Sequence, residues 1–269
     1  MLKLRILTAA IGIPIILAAG YYGGIIFLTL VVAISLVGMV EFFNLLTKMG
    51  LKPILSLGWV SSFVLLLLMF AASRGLLEGY KYMPGLFFIM ALWAAILVWR
   101  DYPKNILPGL AASFFGVFYI AGMLGHLFLL RHITPNGWTF VLFALLLTWA
   151  SDTGAFFAGT KFGRQKLAPL ISPGKTWEGV WGGIILSILT SITLGAWLGL
   201  PLMWRVIAGV FVSLAAVIGD LFESALKRYA GMKDSGTLLP GHGGVLDRFD
   251  SLLLTAPLVY YMLALFIIG

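Results

Sequence analysis

Apolar stretches of bilayer-spanning length recur along almost the whole of this chain, and that pattern excludes most folds before any single residue is weighed. They run at roughly 5–22, 24–46, 54–73, 83–100, 106–130, 138–158, 177–199, 203–226 and 250–268. About 20 apolar residues are what an α-helix needs to cross the hydrocarbon core. Within that medium an unpaired backbone N–H or C=O finds no water, so only helices and closed barrels are stable. The runs are continuous rather than alternating, which argues against a β-barrel. A mean hydropathy of +1.05, with 61% hydrophobic and 10% charged residues, is more apolar surface than a soluble fold of 269 residues could cover. The chain therefore reads as an all-α, polytopic integral membrane protein with about nine transmembrane helices. The least marked divisions are the Tyr-Tyr-Gly-Gly turn at 21–24 and the break near Pro201.

The first twenty residues, MLKLRILTAAIGIPIILAAG, imitate a secretory signal. Further spans follow at once, so the segment reads as the first transmembrane helix. With the N-terminus in the cytoplasm, the inner segments hold Lys3, Arg5, Lys48, Lys52, Arg100, Lys104, Lys161, Arg164, Lys166, Lys175, Lys227, Arg228, Lys233 and Arg248. The outer segments hold only Arg74, Lys81, Arg131 and Arg205. Fourteen basic residues against four is the asymmetry expected of positive-inside loops. It puts two polar stretches, 159–176 and 227–249, on the cytoplasmic side. The net charge of +8 then reflects loops facing an anionic leaflet and not nucleic acid. The chain lacks Cys, which excludes disulfide and thiolate chemistry, and His126, His132 and His242 have no metal-ligand spacing such as HExxH.

Polar chemistry is concentrated late in the chain. We divide it functionally into a scaffold of transmembrane helices, 1–137, and a catalytic transmembrane region, 138–269, that carries both polar loops. The densest block is SALKRYAGMKDSGTLLPGHGGVLDRFD, Ser224–Asp250. Lys227, Arg228, Lys233 and Arg248 suit phosphates, and Asp234, Asp247 and Asp250 suit a hard cation. Gly231, Gly236, Gly241, Gly243 and Gly244 let backbone N–H groups come close to an anion. The mixture describes a site for a nucleotide with Mg²⁺.

Two aspartates precede this block inside apolar runs, where a carboxylate costs about 2.5–3.5 kcal/mol on insertion scales. Asp152 follows LLFALLLTWAS and reads either as a helix-end residue at the interface or as part of a cation or phosphate site. Asp220, Glu223, Ser224 and Lys227 fall at i, i+3, i+4 and i+7 and share one helix face. Such a stripe should face the protein interior or a water-filled cavity. It is either an intrahelical ion-pair ladder or a ligand site.

The other polar stretch, GTKFGRQKLAPLISPGKTWEG, contains Gly174-Lys175-Thr176. It is not a P-loop, because Pro169 stands where glycine is required and no strand is expected before it. It reads as a basic loop, either phosphate-binding or simply cytoplasmic. Glu178 is a metal ligand or a favourable charge at a helix start. Glu41 and His126, each alone in an apolar helix, read as hydrogen-bonded packing.

Over Ser224–Asp250 the chain resembles phosphatidate cytidylyltransferases, also called CDP-diacylglycerol synthases. Their signature runs Ser, any, apolar, Lys-Arg, four residues, Lys-Asp, a small and apolar stretch, His-Gly-Gly, apolar, any, Asp-Arg, apolar, Asp, and the block departs from it nowhere. SDTGAFFAGTKFGRQKLAPLISPGKTWEG is similar to the same family. The resemblance implies transfer of a cytidylyl group from CTP to phosphatidic acid in phospholipid biosynthesis. It implies Mg²⁺ as cofactor, with K⁺ as a candidate second cation. On that resemblance Asp220 and Asp247 are the leading metal ligands, with Asp152, Asp250 and Glu223 as further candidates. Lys227, Arg228, Lys233, His242 and Arg248 are candidate catalytic residues. Lys175, Ser224, Asp234, Gly243 and Gly244 are candidate substrate contacts. The partners implied are CTP, phosphatidic acid and the bilayer, with room for a homodimer, in a bacterial inner membrane with the active site facing the cytoplasm. The rival readings are a CTP-dependent polyprenol or dolichol kinase and, from another class, a cation-coupled transporter. The transporter reading lacks support, because the polar residues lie to one side of the membrane and no inverted repeat appears in the sequence.

Overall fold

The computed structural model describes residues 2–77, 82–101, 107–135, 137–239, 241 and 243–268. The fold is all-α apart from one small hairpin. Its helices are α1 (Leu2–Tyr22), α2 (Gly24–Lys48), α3 (Leu55–Ser73), α4 (Tyr82–Asp101), α5 (Leu107–Gly116), α6 (Met123–His132), α7 (Gly137–Phe162), α8 (Trp177–Trp197), α9 (Leu202–Tyr229) and α10 (Leu246–Ile268). A π-helical stretch, Val117–Gly122, joins α5 to α6. Among the described residues seven helical segments are long and apolar enough to cross a membrane, with α5 to α6 counted as one. The stretches expected as first and fourth spans are shorter apolar helices by this measure, Leu7–Tyr22 and Leu86–Trp99. The protein is an integral membrane protein of several spans.

By packing, the chain forms two compact units: Met1–His132 with Tyr229–Arg248, and Ile133–Arg228 with Phe249–Gly269. Tyr229–Arg248, most of the signature segment, thus packs with the N-terminal helices. Charge density locates chemistry, whereas packing depends on which surfaces are complementary.

In the first unit α3 packs against α2, α4 and the α5–α6 segment. Phe42, Met39, Leu45, Leu57, Leu66, Leu124 and Phe128 are completely or almost completely buried there. Phe42 meets Phe115 and Tyr119 with ring centroids 5.9 and 5.7 Å away. The turn between α1 and α2 has Gly23 and Gly24 at φ 66° and 55°, a region costly for any other residue. Arg131 closes it by donating from Nε to the Gly20 carbonyl at 2.9 Å, which satisfies a helix-end acceptor.

In the second unit α7 and α8 pack through small residues. A Cβ on Gly154 would collide with the Gly182 carbonyl, and one on Gly182 would collide with the Ala158 methyl. Lipid tails are as apolar as leucine, so close backbone approach rather than hydrophobic burial drives such contacts. Hydroxyl pairs tie α7 to the other helices of this unit: Ser151 to Ser213 of α9 at 2.8 Å and Thr148 to Thr255 of α10 at 2.7 Å. Gly219 lets α9 meet α10, since a Cβ there would lie 2.6 Å from the Asp250 carbonyl oxygen.

The expected basic loop at 159–176 is corrected. Helix α7 runs on to Phe162, and an antiparallel hairpin follows, β1 (Lys166–Ala168) and β2 (Ser172–Thr176), with Lys166 opposite Thr176. Gly174-Lys175-Thr176 lies in the second strand of that hairpin. The polar stretch 227–249 is likewise shorter as a loop, because Lys227 and Arg228 close α9 and Asp247 and Arg248 open α10.

Candidate active site

The stripe on α9 is an interior one. Glu223 is fully buried, Ser224 and Lys227 nearly so, and Asp220 partly. Lys227 Nζ lies 2.7 Å from Glu223 Oε2. Ser224 Oγ donates to Asp220 Oδ1 at 3.2 Å. The hairpin completes the cluster: Lys175 Nζ sits 2.7 Å from Asp220 Oδ2, and Arg228 Nε donates to the Ile171 carbonyl at 3.1 Å. The hairpin is itself fixed to α8. Glu178, in the first turn of that helix, accepts from the Arg164 N–H at 3.0 Å and from the Gln165 N–H at 3.2 Å. Thr176 caps the same helix by accepting from Gly179 N–H at 3.1 Å. Asp250 of α10 shares a hydrogen bond with Glu223 and lies within electrostatic reach of Asp220 and Lys227. The second unit therefore holds three carboxylates interleaved with two ammonium groups.

The first unit holds the glycine-rich part of the signature. Asp247 is buried, and its Oδ2 accepts from Ser235 N–H at 2.9 Å, Ser235 Oγ at 2.9 Å and Gly244 N–H at 2.7 Å. The bond from Gly244 satisfies an N–H just ahead of the start of α10. Glu41 of α2, also buried, accepts from Val245 N–H at 2.9 Å and Leu246 N–H at 2.7 Å, with Ser235 Oγ at 3.2 Å. Lys233, Asp234 and Arg248 are exposed. Gly243 has φ 81°, and a Cβ on it would stand 2.5 Å from Asp247 Oδ2. The model that describes the Cytidylyltransferase family matches residues 3–266.

The chain belongs to the cytidylyltransferase family. It is 36% identical to the phosphatidate cytidylyltransferase of Bacillus subtilis, with 98% of each chain covered. Those of Staphylococcus epidermidis and Staphylococcus aureus are 34% and 32% identical, with 97% of this chain and 99% of each relative covered.

Within this family member the acids proposed from sequence fall into distinct settings. Asp220, Glu223 and Asp250 neighbour one another. Asp247 is committed through Oδ2 to backbone and hydroxyl donors. Asp152 is exposed on α7, which continues well past it to Phe162, so it is not a helix-end residue. Among the described residues no three His, Asp or Glu side chains already form a metal-holding group. The Asp220–Glu223–Asp250 set still has the right chemistry for Mg²⁺: hard oxygen donors and like charges held together, which a cation relieves. The ammonium groups of Lys175 and Lys227 supply that compensation in this arrangement.

His242 lies outside the described residues. Gly243 and Gly244 do allow close approach, but to this protein's own carboxylates: a Cβ on Gly244 would collide with Ser235 Oγ and Glu41 Oε2. His126 is hydrogen-bonded packing, its Nδ1 lying 2.8 Å from the Gly122 carbonyl oxygen. Glu41 is hydrogen-bonded too, but to the signature segment. The signal that pointed to it was a single carboxylate within an otherwise apolar span.

Proposed function

We propose that this protein transfers the cytidylyl group of CTP to phosphatidic acid, forming CDP-diacylglycerol and pyrophosphate for phospholipid synthesis. The observation that carries the reading is the unbroken Ser224–Asp250 signature in a chain that aligns end to end with relatives named for this reaction. An oxygen of the lipid phosphate forms a bond to the α-phosphorus of CTP, and the bond from that phosphorus to the bridging oxygen of pyrophosphate breaks. The nucleophile is already ionised, so no side-chain nucleophile or base is required. The difficulty is repulsion between two anions that must meet in line, and positioning with electrostatic compensation is what the protein provides.

In the second unit, Lys175, Lys227 and Arg228 are proposed to hold phosphate oxygens, with Asp220, Glu223 and Asp250 as the oxygen donors for Mg²⁺ and Ser224 orienting Asp220. When bound, Mg²⁺ would neutralise charge on the phosphates. In the first unit, exposed Lys233 and Arg248 are proposed phosphate contacts. The buried, hydrogen-bonded Asp247 is proposed to hold the shape of the segment and remains a candidate ligand. We place both polar segments on the cytoplasmic face, in a bacterial inner membrane, from the asymmetry of basic residues.

The test is transfer from CTP labelled at one phosphate. Label at the α-phosphate should enter a CDP-lipid made from phosphatidate, and EDTA should abolish transfer until Mg²⁺ is restored. Lipid labelled instead by γ-labelled CTP would mean a kinase and overturn the proposal.

A further inference from the structure

We propose that Glu41 is the positioning residue of the glycine-rich signature segment, holding it in its working shape from a helix far away in sequence. This rests on the functional reading above, under which that segment handles phosphates.

Glu41 is buried in α2, a largely apolar membrane helix of which it is the single acidic residue, and a carboxylate there is unfavourable unless it is well satisfied. Its two oxygens are used on one short piece of chain. Oε1 accepts from Val245 N–H at 2.9 Å, and Oε2 accepts from Leu246 N–H at 2.7 Å, with Ser235 Oγ at 3.2 Å. Val245 and Leu246 bring the chain into α10, where the first N–H groups of a helix have no carbonyl partner. A carboxylate is a favourable partner for amides at that end of a helix. The segment in turn is shaped to admit it. A Cβ on Gly236 would lie 2.6 Å from Glu41 Oε1, and one on Gly244 would collide with Oε2. Ser235 links Glu41 to Asp247, since the same hydroxyl lies 2.9 Å from Asp247 Oδ2. One carboxylate thus joins both ends of the segment between Ser235 and Leu246, and Lys233, Asp234 and Arg248 flank it.

The perturbation is Glu41→Gln in the full-length protein, purified in detergent. The Val245 and Leu246 N–H groups can only donate and meet different oxygens of Glu41, so the new NH₂ group must face one of them and that pairing is lost. Two readouts are taken: hydrogen–deuterium exchange of the peptide covering 235–246, and kcat per folded molecule with saturating CTP and phosphatidate. We expect exchange at Gly244–Leu246 to rise roughly tenfold or more and kcat to fall roughly tenfold or more, as lost buried pairings of this kind imply. Ser235→Ala, which removes only the linking hydroxyl, should move both readouts in the same direction to a smaller extent, and it stands in if Glu41→Gln does not fold. Unchanged exchange at these amides overturns the proposal. So does faster exchange with unchanged kcat, because the shape would then not matter to turnover. If the wild-type protein makes no CDP-diacylglycerol, the functional reading fails and the exchange result alone decides whether Glu41 holds the segment.

Discussion

Replacing Asp220 by Asn separates a structural carboxylate from a ligand-binding one by magnitude. Asn keeps the size and the oxygen that accepts from Ser224 Oγ, but it turns an NH₂ group or a neutral oxygen toward Lys175, whose ammonium lies 2.7 Å from Oδ2. The Asp220 side chain is 37% exposed, so solvent screens the interaction from that side, although the Lys175 ammonium nitrogen is buried. A pair of this kind contributes about 0.5–1 kcal/mol. Were Asp220 only half of an ion pair, turnover should change by no more than about fivefold, the factor equivalent to about 1 kcal/mol. Were it a donor to Mg²⁺ that faces the reacting phosphates, the loss should be about 100-fold or more, in the range seen when one preorganised electrostatic group is removed. We expect the larger loss, measured as CDP-diacylglycerol formed from α-labelled CTP across a Mg²⁺ titration, with raised Mg²⁺ restoring only part of the rate. Turnover within fivefold of wild type at low Mg²⁺ would refute the assignment and leave Asp220 as the anchor for Lys175.

Three further outcomes follow from the same geometry. Glu223→Ala removes the 2.7 Å partner of the buried Lys227 ammonium while Asp250 stays within electrostatic reach, and should cost about 1.5–3 kcal/mol of stability, read as a fall in the thermal unfolding midpoint in detergent. Gly182→Leu forces a side chain into the Gly154 backbone and the Ala158 methyl at the α7–α8 contact, so the protein should lose folded yield by size-exclusion chromatography, whereas Gly174→Leu, where a Cβ meets nothing within 4 Å, should not. Because the chain has no Cys, single cysteines at the exposed positions Gln165 and Thr237 can report topology. Both should resist a membrane-impermeant thiol reagent in intact cells and react in inverted vesicles, and labelling of either from outside the cell contradicts the cytoplasmic placement.

Glu41 and the 159–176 stretch mark where sequence reasoning stopped. Glu41 was visible as an isolated acid in an apolar helix, but its partners lie some two hundred residues on, and a single chain carries no record of which distant amides come to meet it. The stretch at 159–176 was visible as basic and glycine-containing. Its hairpin is held by Glu178 and by ties from Lys175 and Arg228 to Asp220 and Ile171, none of which leaves an alternating pattern to read. The stripe on α9 was legible because its order is local: helix geometry alone puts i, i+3, i+4 and i+7 on one face.

What the sequence determined by itself was the class of fold and the chemistry. Uninterrupted apolar runs leave helices as the stable way for such segments to cross a bilayer, and a dense mixture of carboxylates, basic residues and glycines implies a charged ligand. What only the tertiary structure decided was which members of that mixture meet. Asp247 accepts from Ser235 and Gly244, and Glu41 accepts from Val245 and Leu246, while Asp220 and Glu223 pair with Lys175 and Lys227. Several of those contacts join elements far apart in sequence, and they are set by which helix surfaces pack, not by spacing along the chain.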